Sequence, residues 1–219
     1  MAELRTKDDL LNKLRAYAET PDDDNVRYKE KIRQSLLNCP ELLYALHEKG
    51  LEGELYCENE DGELELNIDS ETSELLGEVD KYFGENGNIR PYVFIPETQD
   101  EVKHYVCYQV MFDELPRYKD TQKYTQIIFT VFVNGKDRED KLTGIPRHDL
   151  IASIIREKFN WSNIFGTQTH LISSKESTTD NNYLVRTLIF QTTDTNSITY
   201  TPFNDGVKGN PILVNKLGR

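Results

Sequence analysis

Alternating apolar and polar positions across the second half of the chain predict a sheet interrupted by one helix. β-branched and aromatic residues recur with a period of two in five segments that polar turn residues separate. These strands are expected at about 91–96, 103–113, 123–133, 168–174 and 183–193. The period changes to that of a helix at about 146–159, with an apolar stripe made of Leu150, Ile151, Ile154, Ile155 and Phe159. The predicted order is therefore β-β-β-α-β-β.

Two of these strands are apolar on both faces. In the strand at 123–133, Ile127 and Phe129 point one way, and Ile128 and Phe132 point the other. An antiparallel sheet with one solvated face alternates cleanly between apolar and polar residues. One helix can cover only one face, so the other face is expected to lie against the N-terminal helices, a neighbouring subunit or both.

The first 50 residues are predicted to form a helical extension. Leu10, Leu11 and Leu14 recur at helical spacing, and a second helix is expected from about Val26. Between them, the segment 20–25 contains a proline and a run of aspartates, which favours a helix break and a new start. Pro40 opens a further helical turn.

Residues 51–88 form a strongly acidic segment. The whole chain carries a net charge of −12, and the stretch 50–85 has thirteen acidic residues against the single Lys81. Acidic and apolar residues alternate on both sides of a turn at Asn59–Gly62, which predicts an exposed β-hairpin followed by a linker. The rest of the chain is nearly neutral, so no part of it offers the basic surface that nucleic-acid binding requires.

The domain organisation follows from these patterns. The expected fold class is α+β, with a mixed, mainly antiparallel sheet flanked by helices in a core domain at 89–198. Residues 199–219 are rich in glycine, proline and asparagine and are predicted to be an extended C-terminal arm with a small apolar anchor.

Several polar residues are candidates for catalytic or metal-binding groups. His148 and Asp149 suggest a base with its orienting carboxylate, but neighbouring residues on a helix point apart, which favours an ordinary polar first turn. Cys39, His47 and Cys57 match no standard zinc spacing. Cys107 lies within a strand, where a packed thiol is expected.

Two acidic motifs are equally weak evidence for a metal site. Asn59, Asp61 and Gly62 faintly resemble a calcium-binding loop, but the positions of the first ligand and of the bidentate glutamate are occupied by unsuitable residues. Asp113 and Glu114 follow a strand as in some metal-dependent nucleases, yet no further carboxylate or lysine partner is apparent. We therefore predict no enzymatic activity, no cofactor and no metal.

Other features limit the classes of protein to which the chain can belong. No apolar run approaches the length of a membrane span, and the N-terminus lacks the layout of a signal peptide. Three widely spaced cysteines favour a reducing compartment over a disulfide framework.

The core domain resembles the tail-completion (tail terminator) and related neck proteins of tailed bacteriophages. The resemblance covers roughly residues 89–198 and rests on the segments Ile89–Pro96, Tyr124–Val133 and Thr143–Ala152 and on the final strand into Thr193-Asp194. It implies a mixed sheet flanked by helices, and subunits that form a ring, usually a hexamer, where tail meets head. The N-terminal residues would be an addition that contacts adjoining rings.

The leading hypothesis is a non-enzymatic ring adaptor of a phage neck, located in the virion and, during assembly, in the host cytoplasm. Its expected partners are copies of itself, other neck or connector proteins and tail-tube proteins, with DNA only as an unbound passenger and no membrane. The expected contact residues are Glu54, Glu58, Glu60, Asp61, Glu63, Glu65, Tyr200, Phe203, Ile212 and Leu213. The alternatives are an acidic, DNA-mimicking module that blocks a host DNA-binding protein, and a metal-dependent nuclease.

Overall fold

Four helices are present in the part of the chain that the structure describes. The computed structural model describes residues 6–19, 24–46, 56–71, 82–83, 87–96, 102–113, 122–141 and 143–195. Its helices of three residues or more are α1 (Lys7–Glu19), α2 (Asp24–Leu37), α3 (Pro40–Ala45) and α4 (Arg147–Phe159). All four occur where the apolar spacing predicts them. Within the described residues, no helix combines the length and apolarity needed to span a membrane.

The strands form one large sheet and one small one. They are β1 (Tyr56–Glu58), β2 (Leu64–Leu66), β3 (Ile89–Arg90), β4 (Tyr105–Asp113), β5 (Gln122–Asn134), β6 (His170–Thr178) and β7 (Tyr183–Thr195). The five-stranded sheet has the order β3-β4-β5-β7-β6, and only β3 pairs in parallel with its neighbour. The predicted α+β class, the mainly antiparallel sheet and the order β-β-β-α-β-β are confirmed.

The predicted strand at 91–96 is wrong. Only Ile89 and Arg90 pair with β4, and the following residues leave the sheet. Pro91 has no backbone N–H to continue the ladder, so pairing ends at Arg90. The chain instead folds over the sheet, where Phe94 packs edge-on against Tyr105 at 4.8 Å and Arg90 lies 4.0 Å above the Phe94 ring.

One face of the large sheet carries the main core, and we call it the helix face. α2, α3 and α4 all pack here, and their buried residues form one continuous cluster with the sheet. At its centre Phe129 contacts Phe159 of α4 at 4.8 Å between ring centroids, and Phe190 at 5.8 Å. The apolar stripe of α4 therefore meets the sheet as its spacing predicts.

The opposite face is only half covered by described residues. A second cluster, made of Tyr105, Cys107, Phe132, Tyr183 and Val185, lies beneath Phe94 at one end of the sheet. At the other end Met111, Tyr124 and Ile172 are exposed. The N-terminal helices α2 and α3 do not cover this face, contrary to expectation, because they join α4 on the helix face.

The acidic hairpin is a separate two-stranded sheet. β1 and β2 pair antiparallel, with Tyr56 opposite Leu66, as the alternating pattern predicts. The Asn59 side-chain oxygen accepts the backbone N–H groups of Asp61 and Glu63, and Gly62 takes the positive φ of +80° that the turn needs. The loop is thus held by its own asparagine.

Removing a buried side chain of α4 tests this packing. We expect Ile155→Ala to lower the free energy of unfolding by about 2–5 kcal/mol, because Ile155 is fully buried and a cavity would remain. The exposed Ile145→Ala is the matched control, with an expected loss below about 1 kcal/mol. Urea denaturation followed by circular dichroism measures both, and equal losses would contradict the assigned core.

Candidate functional site

A fully buried arginine stands at the start of α4. The guanidinium of Arg147 lies 3.4 Å from the Asp140 carboxylate and 3.5 Å from that of Asp137, and it donates to the Ala45 carbonyl oxygen at 3.1 Å. Its contacts with Asp137 are longer than ordinary hydrogen bonds, so they act mainly as an ion pair. Arg147 therefore joins the end of α3, the loop after β5 and the start of α4.

The same network includes His104, a buried histidine immediately before β4. The backbone N–H of Asn134 donates to Nδ1 of His104 at 3.2 Å, and Nε2 lies 3.2 Å from Asp137 Oδ2. Because Nδ1 acts as an acceptor, the ring proton is assigned to Nε2 and is donated to Asp137. Asp137 thus bridges His104 and Arg147.

The loop before α4 is shaped to hold this network. Asp140 accepts both the backbone N–H and the hydroxyl of Thr143, at 2.9 and 2.8 Å, while its other oxygen faces Arg147. Gly144 follows with a φ of +69°, which favours glycine. The charged side chains of Arg147, Asp137 and Asp140 thus contact one another. This arrangement resembles a structural ion-pair network, which we call the polar lock, more than a catalytic centre with a nucleophile.

His148 and Asp149 belong to a second ionic cluster. His148 Nε2 lies 3.2 Å from Glu176 of β6, and Arg186 of β7 lies 3.3 Å from Asp149 and 3.6 Å from Glu176. Contrary to expectation, the two adjacent side chains do converge, with His148 Nε2 3.7 Å from Asp149. They meet because both turn toward Arg186 and Glu176, which ties α4 to the β6–β7 hairpin.

The cysteines are not brought together as a metal site. Burial raises the pKa of the Cys39 thiol to about 11, and it raises that of Cys107 to about 11 as well. Cys57 is exposed on the hairpin. No group of three potential metal ligands occurs among the described residues, and His47 lies outside them.

The acidic hairpin presents its charges to solvent. Glu60, Asp61, Glu63 and Glu65 are all exposed. Glu65 also accepts a hydrogen bond from the Asn59 side-chain amide at 2.9 Å. The hairpin is therefore a compact negatively charged surface.

An aromatic and aliphatic patch lies at the uncovered end of the sheet. Trp161 is 62% exposed and has a φ of +63°, which is unusual for a bulky residue, and its backbone N–H donates to the Thr169 carbonyl at 2.7 Å. Its ring packs edge-on against His170, 4.5 Å away. A bulge after Leu171 lies beside the exposed Ile172. We call Trp161, His170, Ile172, Tyr124 and Met111 the open patch.

The open patch borders a shallow depression of about 370 Å³. Its lining combines Tyr124, His170 and Ile172 with uncharged polar residues, namely Thr167, Gln168, Gln191, Thr192 and Thr193. A surface that combines aromatic and aliphatic side chains with uncharged polar ones is typical of protein–protein contacts.

Several predicted contact residues lie outside the described part of the chain. These are Glu54, Tyr200, Phe203, Ile212 and Leu213, together with Glu114 of the nuclease hypothesis. Glu58 and Asp113 lie at strand ends whose side chains the structure does not describe.

Sequence reasoning missed the Arg147 network and the open patch. One signal for Arg147 was present, since a basic residue in the first turn of a helix opposes the helix dipole and implies another partner. Nothing in the local pattern singled out the aspartates at 137 and 140 as its partners. Trp161 is the chain's single tryptophan, but its exposure depends on the local backbone.

The buried ion network generates a stability prediction. Arg147→Ala should lower the free energy of unfolding by about 3–5 kcal/mol, because Asp140 would remain buried without its cation. Arg156→Ala on the exposed side of α4 is the control, with an expected loss of about 1 kcal/mol or less. Chemical denaturation measures both variants, and a small effect of Arg147→Ala would show that the network contributes little.

Thiol reactivity tests the placement of the cysteines. At pH 8 the native protein should react quickly with a thiol reagent at Cys57 alone, because Cys39 and Cys107 are buried and their pKa values of about 11 keep them protonated. In urea all three thiols should react. Rapid native labelling at Cys39 or Cys107, located by mass spectrometry, would contradict this placement.

Comparison with known protein families identifies the family of this chain. No curated protein matches the chain. Residues 40–192, from the start of α3 almost to the end of β7, match the sequence profile of the YomW family. The family name is one given to a prophage protein, which points to a phage origin. Since the match covers more than half of the sequence, the chain belongs to the YomW family.

Proposed function

We propose that this protein is a structural component of a tailed-phage virion that assembles into a ring and joins tail to head, as a tail terminator or neck adaptor. The observation that carries the proposal is the half-covered sheet. Met111 and Ile172 are about half exposed on a face whose other end is packed. A strand-rich domain with such a face gains stability when a neighbour covers it, and closed rings supply that neighbour for every subunit.

Three further features support this proposal. The family points to a phage origin. The described domain has the mixed sheet and flanking helices that the neck-protein resemblance implies. The charged groups of the Arg147 network form ion pairs with one another, which suits a scaffold better than an active site.

The acidic hairpin has a role in the same proposal. Its exposed carboxylates repel phosphate, so DNA can pass a surface of this kind without being captured. In the proposed assembly the DNA is a passenger, and the protein partners are copies of this chain, other neck or connector proteins and the tail tube. The C-terminal arm from Tyr200 to Leu213 is a further proposed contact. The proposed location is the virion neck, reached from the host cytoplasm.

Sedimentation velocity and negative-stain microscopy on the full chain test the proposal. We expect a ring-shaped oligomer, with six subunits as the anticipated number, that also binds the ends of purified tail tubes. A protein that remains monomeric at all concentrations and does not bind tail tubes would overturn it.

The exposed hairpin carboxylates favour a second candidate, an acidic module that occupies the basic cleft of a host DNA-binding protein. The combined variant Glu58→Gln, Glu60→Gln, Asp61→Asn, Glu63→Gln and Glu65→Gln distinguishes the two. Ring formation should survive in this variant if the protein is a neck component. Loss of binding to a host protein, together with a monomeric wild type, would favour the inhibitor.

A further inference from the structure

Helix α1 carries an apolar stripe that lies in solvent. Leu10, Leu11 and Leu14 are exposed, with Leu14 54% accessible. Such a stripe at helical spacing ordinarily faces a core. This stripe and the open patch are two of the exposed apolar surfaces of the described structure, which also include Tyr92, Val93 and Ile95 near Phe94.

α1 has a defined beginning of its own. The Thr6 hydroxyl accepts the backbone N–H of Asp9 at 3.1 Å, and the Asp9 carboxylate accepts the backbone N–H of Thr6 at 3.1 Å. This reciprocal pair is a capping box with aspartate in the place of glutamate. The helix start is thus encoded locally, and the leucine stripe is presented on a formed helix.

The two surfaces match in size and chemistry. The helix has 13 residues and is therefore about 20 Å long. The open patch runs from Met111 on β4 across β5 and β7 to Ile172 on β6, which is about 14 Å at ordinary strand spacing. The strand positions between them on this face include Gln126 and Gln191, which are uncharged. A helix laid on a sheet face is a common two-layer arrangement.

The connection from α1 to α2 is short compared with the thickness of the fold. α2 is anchored on the helix face, where Tyr28 packs 5.1 Å from Phe165 and the Lys29 carbonyl accepts the Tyr108 hydroxyl at 3.4 Å. Residues 20–23 connect α1 to α2 and span at most about 17 Å. Layers pack about 10 Å apart, so a helix on the opposite face would lie about 20 Å away through the sheet and farther around its edge.

We infer that the Leu10, Leu11 and Leu14 stripe of one copy packs on the open patch of a second copy. The contact joins two different surfaces, so it is head-to-tail, and repetition around a rotation axis that closes gives a ring. This inference rests on the self-assembly in the proposed function and specifies the surfaces that mediate it. It places Trp161 within the subunit interface.

Cross-linking between two variants that each carry one exposed cysteine tests the contact, because Cys39 and Cys107 are buried. In a Cys57→Ser background, Leu14→Cys and Ile172→Cys are co-expressed as separate full-length chains and treated with a short bis-maleimide. We expect a cross-linked dimer that contains one chain of each kind. Ile145→Cys, which is exposed at the loop before α4, replaces Ile172→Cys in the control and should give no such product.

Assembly and fluorescence provide an independent measurement. Leu10→Gln with Leu14→Gln keeps good helix formers in α1 and should abolish oligomer formation, whereas Val26→Gln on the exposed side of α2 should not. Trp161 is the sole tryptophan. Acrylamide should therefore quench wild-type fluorescence less as concentration rises, and this dependence should be lost in the double variant.

The outcomes separate this inference from the proposed function. Rings that form without the Leu14–Ile172 cross-link, or that survive the double variant, would overturn the inference and leave the ring intact. A cross-link that forms only inside a doubly substituted chain would also overturn it. A wild-type protein that never assembles would overturn both.

Discussion

One constraint organises the fold: the central strand β5 has apolar side chains on both of its faces, and both must be shielded from water. β5 pairs with β4 along nine residues and with β7 along thirteen, so its backbone is satisfied on both edges. Its side chains are apolar toward both faces, with Phe129 on one and Phe132 on the other. Other parts of the protein must therefore pack against both faces of such a strand. The described helices supply that cover on one side, and the chain around Phe94 covers half of the other.

The polar lock around Arg147 holds α3 and α4 next to each other on the helix face. Its guanidinium holds the end of α3 and the loop that leads into α4, while Asp137 reaches His104 next to β4. A fully buried cation is tolerated only beside such compensating partners. The lock thereby fixes α3 and α4 on one face, and the second ionic cluster, at Arg186, ties the other side of α4 to the β6–β7 hairpin.

The uneven coverage of the sheet is what connects the fold to the proposed assembly. Membership in the YomW family and a phage origin are compatible with many roles. The part of this face that the described residues leave exposed supports the proposed role, because contiguous exposed apolar residues often mark an interaction site. The leucine stripe of α1 is the partner surface that we infer for it. The exposed acidic hairpin adds a surface suited to contact without phosphate capture.

The sequence by itself determined the elements and their order. The period of apolar residues predicted all four helices, four of the five strands of the large sheet and the acidic hairpin, because these patterns report which side of an element is buried. Proline at position 91 was the missed signal for the strand predicted at 91–96. Only the tertiary structure decided that α2 and α3 share a face with α4, that His104, Asp137 and Arg147 meet, and that Tyr124 and Ile172 line one depression. These depend on contacts between residues far apart in the chain, which local periodicity does not encode.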